Sequence, residues 1–225
     1  MPEQFKVDIN EYQSVSATLY AAAARGRAGI TLILGHGAGA GQESGFMVSF
    51  ANELATRGID AVTFNFFYKE HGRGAPDKND KLEECYRAVI EEARGHKKLE
   101  RNQLVIGGKS MGGRIASQVA ASGVGDLAGL VFLGYPLHPP GKPDQLRAKH
   151  LPNIKAPMLF VQGSRDSFGT PDELRPIIKR LPAPTKLYVV EGGDHSFKVP
   201  KSAGLTQDEV YASVLDEIAN WLKTE

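Results

Sequence analysis

Six short apolar runs punctuate the chain at residues 30–34 (ITLIL), 60–67 (DAVTFNFF), 103–106 (QLVI), 130–133 (LVFL), 157–162 (PMLFVQ) and 186–190 (KLYVV). They are nearly continuous rather than alternating, which suits strands buried on both faces of a parallel sheet. Between them, residues 46–57, 81–94, 114–121 and 172–181 have helical character, and residues 210–222 close the chain. The alternation predicts a doubly wound α/β sandwich, with a mostly parallel central sheet and helices on both faces. Residues 5–9 and 15–20 alternate with period two and read as an antiparallel pair added at one edge of the core. The last helix carries its own start signal: Thr206 and Glu209 have capping-box spacing, and Val210, Val214, Ile218, Trp221 and Leu222 then recur on one face. A chain of 225 residues is ordinary for one large α/β domain, so residues 1–225 are expected to form a single domain.

Composition narrows the partners. Lys and Arg total 27 against 26 for Asp and Glu, which leaves no global field to recruit nucleic acid or an anionic membrane. The lone cysteine, Cys85, cannot form an intramolecular disulfide, and it lies on the apolar stripe Leu82, Cys85, Val89, Ala93 of a predicted helix, so it reads as a buried structural thiol in a reducing compartment. The first residues, Met-Pro-Glu-Gln-Phe-Lys-Val-Asp, hold no apolar signal-peptide core, and no stretch approaches the roughly 20 apolar residues of a membrane span. A cytoplasmic location is expected.

The chemistry centres on GGKSMGG, residues 107–113, which follows the run QLVI directly. Gly-Lys-Ser also ends the phosphate-binding P-loop signature, but that signature needs a glycine where Gln103 stands. Gly108-Lys109-Ser110-Met111-Gly112 instead supplies G-x-S-x-G between a strand and a helix. In that turn the serine sits at a strained backbone angle, and small neighbours let strand and helix pass closely. The fold that uses this turn, the α/β hydrolase, requires an acid and then a histidine downstream. Asp166 follows the 157–162 run and His195 follows the 186–190 run, both where the order demands them. Ser110 is thus the candidate nucleophile, His195 its base and Asp166 the carboxylate that orients the imidazole. Asp194, adjacent to His195, reads as a turn residue. Backbone amides of Met111 and of Ala38, in the loop GHGAGAGQESG, are candidates to hold an oxyanion. The glycines of that loop fit a dinucleotide fingerprint only loosely, and no acidic residue ends the next strand. The other histidines lack metal-ligand spacing, so no metal and no cofactor are expected.

Taken together, HGAGAG, FNFFYKEHGRGAPD, GGKSMGGR, GYPLHPPGKP, LFVQGSRDSFG and GGDHSF resemble the small hydrolase-like family of testis-expressed and related bacterial proteins, close to the dienelactone-hydrolase group. The resemblance spans residues 30–221 and implies the α/β-hydrolase fold, with Ser110, Asp166 and His195 at the triad positions. Dienelactone hydrolases use a cysteine nucleophile, and Ser110 stands in its place. The family also includes members thought to act as scaffolds.

The connection 136–157 carries six prolines and leaves no room for a helical cap, which predicts an open site without a lid domain. Small or extended acyl groups suit such a site better than long lipid chains. His36, Phe67, Tyr68, Tyr135, Leu137 and His138 are candidates to contact substrate; Arg73 and Arg165 read as solvated. Two functions remain in view: a serine hydrolase acting on a small-molecule ester or thioester, and a non-catalytic interaction module that binds a protein on the open face.

Overall fold

Eight strands form one sheet in the computed structural model, which describes residues 1–224. They are β1 (Glu3–Asn10), β2 (Gln13–Tyr20), β3 (Ile30–Gly35), β4 (Asp60–Phe64), β5 (Gln103–Lys109), β6 (Gly129–Leu133), β7 (Met158–Gly163) and β8 (Thr185–Val190). The spatial order is β1-β2-β4-β3-β5-β6-β7-β8, with β1, β2 and β4 paired antiparallel and every later pairing parallel. The N-terminal hairpin therefore forms one edge, as the alternating runs imply, and β8 forms the other.

Helices α1 (Gly45–Thr56), α2 (Phe67–Glu70), α3 (Asn79–Gly95), α4 (Met111–Ala121), α5 (Pro171–Ile178) and α6 (Gln207–Thr224) flank the sheet. Successive strand residues point to opposite faces, so one core gathers Ile33, Val62 and Ile106 against α3, α4 and α5. The other gathers Leu32, Ala61 and Val105 against α1 and α6. Cys85 is buried on the α3 stripe, and Trp221 of α6 packs over Gly129, where a methyl group would meet the indole at 2.8 Å. The α6 start follows its cap: Thr206 N–H donates to Glu209 Oε2 at 2.7 Å, and Glu209 N–H donates back to Thr206 Oγ1 at 3.3 Å. Among the described residues no helix is long and apolar enough to cross a membrane.

Two boundaries differ from expectation, and both matter for the site. The apolar run 60–67 reads as one strand, yet β4 stops at Phe64 and Phe67 begins α2. The break is fixed by polar partners: the Asn65 side chain accepts from Gln42 N–H at 2.9 Å, and Phe66 N–H donates to His36 Nε2 at 3.1 Å. Conversely β5 runs through the glycines to Lys109, pairing Gly107, Gly108 and Lys109 with β6, so α4 starts at Met111 rather than at 114. The connection 134–157 contains one 3-10 turn, Leu151–Asn153, and no helical cap.

Candidate active site

Ser110 is the hinge residue between β5 and α4, with φ 51° and ψ −113°. A non-glycine residue in such a conformation costs on the order of 1–3 kcal/mol. The surroundings hold it there. Ser110 N–H donates to Leu133 O of β6 at 3.0 Å, and a methyl group on Gly108 or Gly112 would run into the Gly35 carbonyl of β3. The glycines therefore let β5 and α4 close on β3, and this proximity leaves the serine raised at the C-terminal edge of the sheet.

Asp166 and His195 come from loops after β7 and β8, at the same edge. Ser110 Oγ lies 2.8 Å from His195 Nε2, and His195 Nδ1 lies 2.7 Å from Asp166 Oδ2. A carboxylate only accepts, so Nδ1 carries the proton and Nε2 is left to receive one from Ser110. The Asp166 side chain is fully buried and satisfied by donors: Phe168 N–H to Oδ1 at 2.8 Å, and Gln162 Nε2 to Oδ2 at 2.8 Å. The Phe168 ring stacks on the imidazole with centroids 4.2 Å apart. Asp194 is indeed a turn residue, its Oδ1 accepting from Ser196 N–H at 2.7 Å and Lys198 N–H at 2.9 Å.

Lys109 is the unexpected member. Its ammonium donates to the backbone carbonyl of His195 and lies 5.7 Å from the Phe197 ring centroid and 6.0 Å from that of Phe46. Burial pushes its pKa down to about 8, against the opposing pull of Asp166 and Asp194. Gly134 makes space for it, since a methyl group there would sit 3.0 Å from Nζ.

These groups open into a cleft of about 670 Å³ whose walls include Ala38, Met111, Phe46, Tyr211, Phe168, Arg114 and Arg147. Met111 N–H belongs to the first turn of α4, where amides have no intrahelical acceptor. Ala38 is exposed on the cleft wall, and its carbonyl accepts from Tyr68 Oη at 2.8 Å.

The candidate substrate contacts need correction. His36, Tyr68, Tyr135 and Leu137 are completely buried, His138 nearly so, and neither they nor Phe67 lines the cleft. The early end of β4 turns Tyr68 inward beneath the 37–40 loop. Gly134, at φ 67°, turns Tyr135 down, where its N–H meets Gln162 Oε1 at 2.8 Å and its ring packs on Phe132 and Phe160. The Phe67 ring packs at a tilt of 46° on that of His71, centroids 4.2 Å apart, and His138 reaches Glu173 at 3.2 Å. His36 is a strut for the 37–40 loop: Nε2 accepts from Phe66 N–H, so Nδ1 must donate to Gly37 O, at 2.8 Å. Burial lowers its pKa to about 4 and keeps it neutral.

Residues 28–223 match the family described as alpha/beta hydrolase domain. The chain belongs to the α/β-hydrolase family. Solved structures of the same fold include an alpha-beta serine hydrolase homologue from Coxiella burnetii, at 19% identity and TM-score 0.72, covering 99% of this chain and 96% of that one. A dienelactone hydrolase from Anabaena variabilis has 19% identity and TM-score 0.75 over 98% and 96% of the two chains. A serine hydrolase without lid from Xanthomonas campestris has 18% identity and TM-score 0.72 over 99% and 92%. In this α/β hydrolase the elements that carry Ser110, Asp166 and His195 thus belong to a widely shared frame, while Lys109, Gln162, Arg114 and Arg147 were not singled out from the sequence. Arg114 lies one turn beyond Ser110 on α4, a spacing that could have placed it on the cleft wall.

Proposed function

We propose that the protein is a serine hydrolase that cleaves a carboxylic ester or thioester through an acyl-enzyme. The observation that carries the reading is the unbroken relay from Ser110 Oγ to His195 Nε2 and from Nδ1 to Asp166, at 2.8 and 2.7 Å, opening into a cleft. Ser110 Oγ attacks the carbonyl carbon as its proton passes to Nε2, and the oxyanion that forms is held by the Ala38 and Met111 amides. Collapse breaks the bond to the leaving group, which takes the proton from Nε2. Water then attacks the acyl-serine, giving one proton to Nε2, and Ser110 recovers it as the acid leaves. Asp166, fixed by Gln162 and Phe168, keeps the imidazole in the tautomer that accepts from serine and stabilises its cationic form.

A fluorophosphonate probe tests the reading. Labelling of the native protein, its loss in Ser110→Ala and in His195→Ala, and turnover of 4-nitrophenyl acyl esters are expected. Labelling that survives Ser110→Ala would remove Ser110 from its role.

A further inference from the structure

Four cations, Lys109, Arg114, Arg147 and Lys198, line the cleft against one carboxylate, Asp77, and Asp77 is already paired with Arg73 at 2.8 Å. A chain of net charge +1 thus concentrates positive charge where a substrate would enter. Among the described residues none of the four makes an ion pair, and the two arginines are the half-buried guanidinium groups of the set, Lys109 being tied to the His195 carbonyl. The arginines that pair with carboxylates are Arg27, Arg57, Arg73, Arg94 and Arg175; among the described residues Arg114 and Arg147 make no ion pair.

Their surroundings do not compensate. Arg114 donates only to neutral oxygens, Gln118 Oε1 at 3.1 Å and Asn79 Oδ1 at 3.2 Å. Burial lowers its pKa first, and the neighbouring Arg147 adds to the effect. Glu83 is the carboxylate that acts on it, from beyond ion-pairing distance. His150, at 2.7 Å from Ser117 Oγ, is held neutral by burial and by Arg114, with a pKa near 4, and Tyr135 is a buried neutral phenol. The Arg147 backbone is pinned between Leu137 and Tyr135, by N–H to Leu137 O at 2.7 Å and by its own carbonyl accepting from Tyr135 Oη at 2.7 Å, while its guanidinium has no hydrogen-bond partner among the described residues. Two half-buried guanidinium groups that repel one another stay together at a cost, and an oxyanion between them converts repulsion into charge-assisted hydrogen bonds.

We propose that Arg114 and Arg147 form an oxyanion subsite, and that the ester cleaved at Ser110 carries an anionic group, a carboxylate or a phosphate, at the end of the moiety lying along Met111 and α4. The proposal rests on the serine-hydrolase reading for the turnover, while the subsite itself stands on the unpaired arginines.

The test compares 4-nitrophenyl esters of hexanoic, adipic and 6-phosphooxyhexanoic acids, which share leaving group and chain length and differ in terminal charge. At low ionic strength one anionic ester should exceed the hexanoate in kcat/KM by about tenfold, the worth of one charge-assisted contact. That preference should collapse toward unity in Arg147→Met and in high salt. The better of the two anions identifies the group. Arg114 bonds to Gln118 and Asn79, so Arg147→Met serves if Arg114→Met folds poorly; Arg101→Met, at the opposite end of the sheet, should retain the preference. Equal rates for all three esters, or a preference that survives in Arg147→Met, overturns the subsite. Should no ester be cleaved, the hydrolase reading fails separately, and calorimetry with adipate and 6-phosphooxyhexanoate decides the subsite: binding lost in Arg147→Met sustains it, and no binding to the native protein overturns it.

Discussion

The ammonium of Lys109 donates to the backbone carbonyl of His195, tying the residue before the candidate nucleophile to the residue that would act as its base. The groups facing that ammonium are Asp166, Asp194 and the rings of Phe46 and Phe197. Lys109→Met keeps the stem and removes the donor. We expect kcat to fall about tenfold, matching one charged hydrogen bond of roughly 1.5 kcal/mol, with KM little changed. The native pH–rate profile should also decline above about pH 8, as Lys109 releases its proton, and this limb should be missing from the variant. Identical alkaline limbs in both proteins would show that Lys109 only fills space.

Gln162 is fully buried, and the two protons of its amide nitrogen serve Asp166 Oδ2 at 2.8 Å and Gly169 O at 2.7 Å, with Tyr135 O farther off at 3.3 Å. Gln162→Met leaves them short of a donor. A kcat loss of about 10–100-fold is expected, corresponding to roughly 1.5–3 kcal/mol for a bond to a charged group. Rates should be normalised to sites counted by fluorophosphonate labelling, so that misfolded protein is not read as slow protein. An unchanged normalised kcat would relieve Gln162 of any part in orienting the relay.

Gly112→Ala puts a methyl group into the Gly35 backbone, which cannot rotate away. Overpacking of this kind costs about 1–3 kcal/mol, and the displaced α4 should carry Ser110 away from His195. Thermal unfolding and probe labelling should both report the change. A variant as stable and as reactive as the native protein would show that β3 and α4 tolerate separation.

His36 is neutral in the folded protein with a pKa near 4, while an unfolded histidine titrates near 6.5. Between those values the unfolded chain binds the extra proton. The stability that neutral His36 lends is therefore complete above about pH 6.5, drains away as pH falls to about 4, and changes no further below that. The amount is on the order of 3 kcal/mol. Urea unfolding at pH 7, 5 and 4 should show this slope added to that of His150, whose pKa is likewise lowered to about 4, and His36→Gln, which can still accept from Phe66 N–H, should remove about half of it.

The strands, the helix order and the relay residues were legible because they leave local marks. Burial on both strand faces gives continuous apolar runs, and a strained serine turn demands glycines two residues either side. The substrate contacts were misread for a reason just as physical. Tyr68 in α2, and Tyr135 and Leu137 in the connection after β6, sit near the site, but only the early end of β4 and the turn at Gly134 decide that they point down into the core. Lys109 resembled a variable position because its partner is 86 residues away. Thr170 and Glu173 form a second capping box at the start of α5, and that spacing was available to a closer reading of T-P-D-E.

His195 hangs from a sheet margin. β8 pairs with β7 alone and is only half-buried along most of its length, whereas the serine turn springs from β5, paired on both sides. An edge strand of this kind opens at lower free energy than the centre. In a urea titration, ester turnover should vanish before far-UV ellipticity falls, and coincident transitions would contradict this. The molecule would then lose its chemistry by fraying at one side, with most of its architecture still standing.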